Sequence, residues 1–218
     1  MKKIYSMIAV LTLFVTSTAQ AAEVLSVSAW QPNPGKMAAS YAAAAEAKEL
    51  HEALGAEVRI IQTFAGTMNY SMSFDSWQAW AEFAAKAATD PKIQKFQADS
   101  QKRQSATFLG TNMIEIVSPA DEVGSVFEAT SWKPMPGKNM ALMQSAMKAK
   151  AIHEKEGVNV SIGWAKNGNL VYITSYADWG AYAKYNDAEM SEAFQAYWQE
   201  ASQDPSGTLV GNSMGMER

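Results

Sequence analysis

Apolar residues along this chain switch between two rhythms, and the switches outline the elements. Val24–Trp30 alternates with period two and is rich in strand formers. The turn Gln31-Pro32-Asn33-Pro34-Gly35 follows. An Ala-rich helical pattern then runs from Met37 to Leu54 and stops at Gly55, a C-cap residue. Ala56–Phe64 and Met68–Phe74 read as strands joined by the turn Ala65-Gly66-Thr67. Ser76 is the N-cap of a helix that begins at Trp77 and is interrupted at Asp90-Pro91. Thr107–Val117 is the last strand of the set.

The same order then returns. Phe127–Trp132, Ala141–Glu156, Val158–Ala165, Leu170–Tyr176, Trp179–Ala201 and Thr208–Met214 predict strand, helix, strand, strand, one long helix and strand. At a shift of 102 positions, the distance from His51 to His153, Trp30, Pro32, Pro34, Gly35 and Lys36 fall on Trp132, Pro134, Pro136, Gly137 and Lys138. Farther on, His51 and Glu52 fall on His153 and Glu154, and Tyr70 and Trp77 on Tyr172 and Trp179. After a one-residue slip, Leu109–Met113 falls on Val210–Met214. This agreement predicts an internal duplication: a first unit over 23–117, a linker over 118–125 and a second unit over 126–218.

The fold class is therefore α+β, two ferredoxin-like βαββαβ units. Both helices of such a unit cover one face of its sheet, and the other face needs a cover. A second unit supplies it, and the two sheets close face to face into a barrel. Strand alternation suggests the faces. The apolar sets, Leu25, Val27 and Ala29 among them, are expected under the helices. The mixed sets, with Ser26, Ser28, Arg59 and Asn69, are expected inside the barrel, as are Glu128, Thr130, Trp132, Ser161, Gly163, Val171, Ile173 and Ser175.

The duplicated pattern resembles the dimeric α+β barrel superfamily. W-x-P-x-P-G-K precedes helix one and a capped Trp opens helix two. The nearest branch is the antibiotic-biosynthesis-monooxygenase-like family, in a fused tandem form that forms its barrel within one chain. The resemblance implies one of several roles: cofactor-free monooxygenase, haem-degrading or haem peroxidase-like enzyme, isomerase, or a protein without catalysis. Haem-degrading members carry their His on the second helix. The second-helix segments here, from Trp77 and from Trp179, contain none, which speaks against haem degradation.

Charge and composition narrow the picture. Lys2 and Lys3, the apolar run Ile4–Val15 and Ala19-Gln20-Ala21 read as a secretory signal peptide over 1–22, so the expected location is periplasmic or secreted. That run falls short of the ~20 residues needed to span a bilayer, so no membrane anchor is expected after cleavage. The net charge of −4 becomes more acidic without the leader and argues against a nucleic-acid partner. With no cysteine, neither disulfides nor thiol chemistry contribute.

Candidate ligand-binding residues are Trp30, Lys36, His51, Arg59, Asn69, Trp132, Lys138 and His153. Lys36 and Lys138 follow Pro-Gly turns at helix starts, a place that either holds an anion or is simply a rigid turn. Trp30 and Trp132 either wall a pocket or plug the barrel end. His51 and His153 lie near helix C-termini, where an imidazolium is favoured by the dipole and the ring caps free carbonyls; a ligand or proton-transfer role is the alternative. His51 cannot belong to a zinc-protease motif, because Gly55 stands where the second His is needed. Met140, Met143 and Met147 form a stripe that reads as core filling rather than a copper site. No metal or cofactor is assigned. The expected function is small-molecule binding; the alternatives are a cofactor-independent monooxygenase-like enzyme and a non-catalytic protein that associates with copies of itself.

Overall fold

A computed structural model describes residues 22–218, and the expected leader lies outside them apart from Ala22. Eight strands and six helices follow in order: β1 Glu23–Pro32, α1 Met37–Glu52, β2 Glu57–Thr63, β3 Met68–Phe74, α2 Trp77–Thr89, α3 Pro91–Arg103 and β4 Ala106–Ser118 form the first half. The second half is β5 Val126–Pro134, α4 Asn139–Lys155, β6 Asn159–Ala165, β7 Leu170–Tyr176, α5 Trp179–Asp187, α6 Glu192–Gln203 and β8 Gly207–Glu217. The strands close into one barrel in the order β1-β3-β2-β8-β5-β7-β6-β4. Each half is a ferredoxin-like antiparallel sheet with its helices outside, so the chain is a dimeric α+β barrel made from one polypeptide.

Local chemistry sets the element ends. Ser76 and Asp178 accept hydrogen bonds from the backbone N–H groups of Ala79 and Ala181 and start α2 and α5. Asp90 caps α3 from Lys92 N and Ile93 N, with Pro91 at the first helical position. Gly55 and Gly157 adopt φ of +100° and +82°, the left-handed conformation that ends α1 and α4.

Three expectations change. The long helix expected over Trp179–Ala201 is two helices, because Ala188 is extended and Ser191 caps a new start by accepting from Phe194 N. The Met stripe on α4 is not core filling: Leu142, Ala146 and Ala149 take the buried face, only Met143 packs against it, and Met140 and Met147 are exposed.

The third change concerns β1 and β5, whose faces are reversed. Val24, Ser26 and Trp30 lie on the helix side, as do Val126, Glu128, Thr130 and Trp132. Leu25 and Val27 point into the barrel, where Ile114, Ile116, Val171 and Ile173 gather around them. Both faces of a closed barrel are covered, so hydrophobicity alone does not tell inside from outside. Ser26 is buried on this side, where α2 covers β1.

The two halves grip each other at hairpin tips. Phe64 stacks on Trp179 at 5.1 Å with planes 11° apart, and Lys166 sits 4.0 Å over the Trp77 ring. Phe64 and Lys166 are matched positions, as are Trp77 and Trp179, so each tip covers the tryptophan of the opposite half. Among the described residues no helix is long and apolar enough to cross a membrane.

Candidate functional site

The matched helices α1 and α4 each carry one histidine toward the sheet beneath. His51 Nδ1 lies 2.8 Å from Tyr70 Oη, and His153 Nδ1 lies 2.5 Å from Tyr172 Oη. The rings do not cap helix carbonyls, and burial among aromatic side chains outweighs the dipole. It lowers both imidazoles, His153 to about 4, and keeps them neutral at physiological pH. Burial also raises both tyrosines, so each phenol keeps its proton. Among the described residues Tyr172 Oη has no other hydrogen-bond partner. With the phenol O–H donating to Nδ1, the remaining imidazole proton sits on Nε2.

The halves differ in what surrounds this pair. In the first half α2 has 13 residues, and Phe83 packs edge-on to His51 at 5.5 Å. Phe74 is buried beside Phe83 with ring centroids 5.1 Å apart, and Met72, Trp80 and Phe96 pack against the same cluster. In the second half α5 has only 9 residues. The chain leaves the sheet at Ala188 and returns as α6, which opens a cavity of about 1210 Å³ beneath α4, α5 and α6. That exceeds the ~300–1,000 Å³ common for small-molecule sites.

The cavity joins an apolar wall to a polar floor. Tyr185, Phe194 and Trp198 line the helix side, and Glu128, Thr130 and Thr174 rise from the sheet. His153 lies between them, 4.7 Å from the Phe194 ring centroid and 5.7 Å from that of Tyr185. Its Nε2 has no hydrogen-bond partner among the described residues. Ser100 Oγ is the one buried side-chain oxygen or nitrogen there without a partner, so Nε2 is accessible rather than sealed. With that tautomer the site presents a neutral N–H donor. It also presents Glu128, whose carboxylate makes no ion pair or hydrogen bond among the described residues. An imidazole N–H polarises a carbonyl oxygen, and a free carboxylate accepts a proton or balances a positive charge.

Of the residues singled out from the sequence, the cavity brings together Trp132 and His153. Trp132 Nε1 donates to Thr130 Oγ1 at 3.0 Å. Trp30 packs under the first-half helices, its ring 4.9 Å from Phe108, and His51 lies against Phe83 at the matching place in the first half. Lys36 Nζ donates to the Arg103 carbonyl at 3.1 Å, and Lys138 Nζ bonds the Asp204 carboxylate and the Pro205 carbonyl. Both lysines therefore tie a turn to the end of a neighbouring helix. Arg59 and Asn69 face a separate cavity inside the barrel, of about 1260 Å³, and Arg59 is paired there with Glu217 at 3.1 Å.

Glu128 was expected inside the barrel rather than on the helix side, and Thr174, Tyr185 and Phe194 were not singled out. Their signal lies in the differences between matched positions. Glu128 stands where the first half has Ser26, Thr174 where it has Met72, and Tyr185 where it has Phe83.

No protein-family model and no curated protein sequence matches the chain. Solved structures do match it, at low identity and over nearly the whole chain. A protein assigned as a monooxygenase from Lactobacillus acidophilus NCFM is 10% identical, with a TM-score of 0.67 over 90% of this chain and 94% of that one. Another so assigned, from Fusobacterium nucleatum subsp. nucleatum ATCC 25586, is 12% identical, with a TM-score of 0.62 over 91% and 92%. A heme-binding protein from Thermus thermophilus is 12% identical, with a TM-score of 0.53 over 90% and 91%. An anthrone oxidase-like protein and chlorite dismutases also match. What this chain shares with them is the dimeric α+β barrel fold.

Proposed function

We propose that the second-half cavity is the substrate site of a monooxygenase-like enzyme acting on a flat, mostly apolar small molecule. The observation that carries the binding reading is the pairing of His153 with Tyr172 at the base of an aromatic-walled cavity. The assignments of the similar structures favour the monooxygenase reading over passive binding. His153 Nε2–H holds a carbonyl oxygen of the substrate. Dioxygen is the co-reactant, as in the conversion of anthrone and dioxygen to anthraquinone and water.

Haem does not fit this cavity. His153 would be the residue to hold its iron, with Nδ1 bonded to Tyr172 and Nε2 without a partner among the described residues. The carboxylates of haem, however, would meet Glu122, Glu128, Glu156 and Glu189 in the lining, with Lys184 as the one lysine. No step is therefore routed through haem.

Anthrone tests the proposal. Titration should quench tryptophan fluorescence, and dioxygen uptake should accompany anthraquinone formation. His153→Phe should reduce turnover by about 100-fold, the size expected for losing one oriented donor in a dry site. Binding without dioxygen uptake would remove the enzyme reading, and no binding would remove both.

A second reading, association between copies, rests on the free stretches of β4 and β8. Before Ile114, β4 pairs only with β1, and before Gly215, β8 pairs only with β5. Phe108, Leu109, Leu209 and Val210 are exposed there. Apolar open edges invite strand pairing. Sedimentation should then give a dimer or larger species that Leu109→Lys with Leu209→Lys converts to monomer; a monomeric parent protein sinks this reading.

A further inference from the structure

We infer that the second-half cavity selects planar ligands that are positively charged or neutral and rejects anions, with Glu128 as the selecting residue. This rests on the reading of the cavity as a ligand site and adds the charge class of its ligand.

Glu128 lies on β5, on the helix-facing side of the sheet, within the cavity lining. It is half-buried, and its carboxylate has neither ion pair nor hydrogen bond among the described residues. At the matched position the first half has Ser26, so the carboxylate is specific to this half. The apolar wall adds a second observation. Tyr185, Phe194 and Trp198 line it with aromatic rings, and the negative quadrupole of an aromatic face attracts a cation and repels an anion. Lys184 cannot neutralise the lining, which also holds Glu122, Glu156 and Glu189. A cationic ring system inserted here meets a carboxylate at the floor and π faces at the wall. A carboxylated ring of equal size meets repulsion from both.

Three tricyclic compounds of similar size separate these terms: proflavine is a cation at neutral pH, anthrone is neutral and anthracene-9-carboxylate is an anion. Each is titrated into the full chain at low ionic strength, and competition with anthrone restricts the proflavine signal to the cavity. Proflavine should bind at least about tenfold tighter than anthracene-9-carboxylate, and Glu128→Gln should remove most of that ratio. Glu128→Ser, which restores the residue at Ser26, should do the same and guards against a variant that fails to fold. If anthrone binds while the carboxylate matches proflavine, the charge inference falls and the cavity reading stands. If a preference for proflavine survives both substitutions, Glu128 is not the selecting residue and the inference falls as stated. If none of the three binds, the cavity reading falls and takes this inference with it.

Discussion

Gly215→Val should stop the barrel from closing properly and lower stability by about 3 kcal/mol, a fall of roughly 10 °C in Tm for a domain of this size. A Cβ placed at Gly215 would lie 2.5 Å from the Gln62 carbonyl oxygen and 2.8 Å from Ile61 Cγ2. These contacts lie in the seam between β8 and β2, where only Ile61, Gln62 and Thr63 pair across the halves. The other seam, between β4 and β6, has the reverse arrangement. There a Cβ at Gly163 would lie 2.7 Å from the Glu115 carbonyl oxygen and 2.7 Å from Ile114 Cγ2. Gly163 matches Ile61, and Gly215 matches Ile114 after the one-residue slip. Each seam therefore joins one isoleucine to one glycine, contributed by opposite halves. Two first halves would set isoleucine against isoleucine at both seams, and two second halves would leave both seams empty. Gly163→Val should be as damaging as Gly215→Val. Ile61→Ala added to Gly215→Val should restore only part of the loss, because the clash with the Gln62 backbone remains. Thermal melting followed by circular dichroism decides the matter: a Gly215→Val protein melting with the parent would mean that the seam is not close-packed.

The same comparison of halves explains what the sequence could and could not reveal. Hydrophobic rhythm, caps and the match of Trp30 to Trp132 and His51 to His153 were enough for two βαββαβ units and a barrel, because those signals are local or repeated. The phase of β1 was not legible, because Leu25 and Val27 inside the barrel are as apolar as Val24 beneath the helices. The cavity was missed for a different reason. Likeness between the halves drew attention to His153, whereas the cavity depends on where they differ. Glu128 replaces Ser26, Thr174 replaces Met72 and Tyr185 replaces Phe83. Each is an ordinary residue in isolation and acquires meaning only when set against its matched position.

Lowering the pH from 7 to 4.5 should destabilise the protein through His153, and His153→Gln should remove most of that contribution. Burial against Tyr172, Tyr185 and Phe194 lowers this imidazole to about 4 in the folded chain. In the unfolded chain it titrates near its ordinary value of about 6.5. Above that value both states hold a neutral ring, and the full contribution to stability is present. As the pH falls from 6.5 toward 4, the unfolded chain takes up a proton that the folded chain refuses, so stability declines. Below about 4 both states are charged and the loss is complete. The gap corresponds to about 3 kcal/mol at most, because one pH unit is worth ~1.4 kcal/mol and the ring is only partly sheltered. His51 shifts in the same direction, and Glu23, raised chiefly by burial, contributes with the opposite sign. The difference between parent and variant isolates His153 from both. Glutamine can still hydrogen-bond to the Tyr172 hydroxyl and does not titrate. Urea denaturation at a series of pH values should give curves that converge or cross on acidification, with the variant losing less. Parallel curves from pH 7 to 4.5 would mean that the folded chain accepts a proton on His153 as readily as the unfolded chain does, and that the ring does not sit in the cavity as a fixed neutral donor.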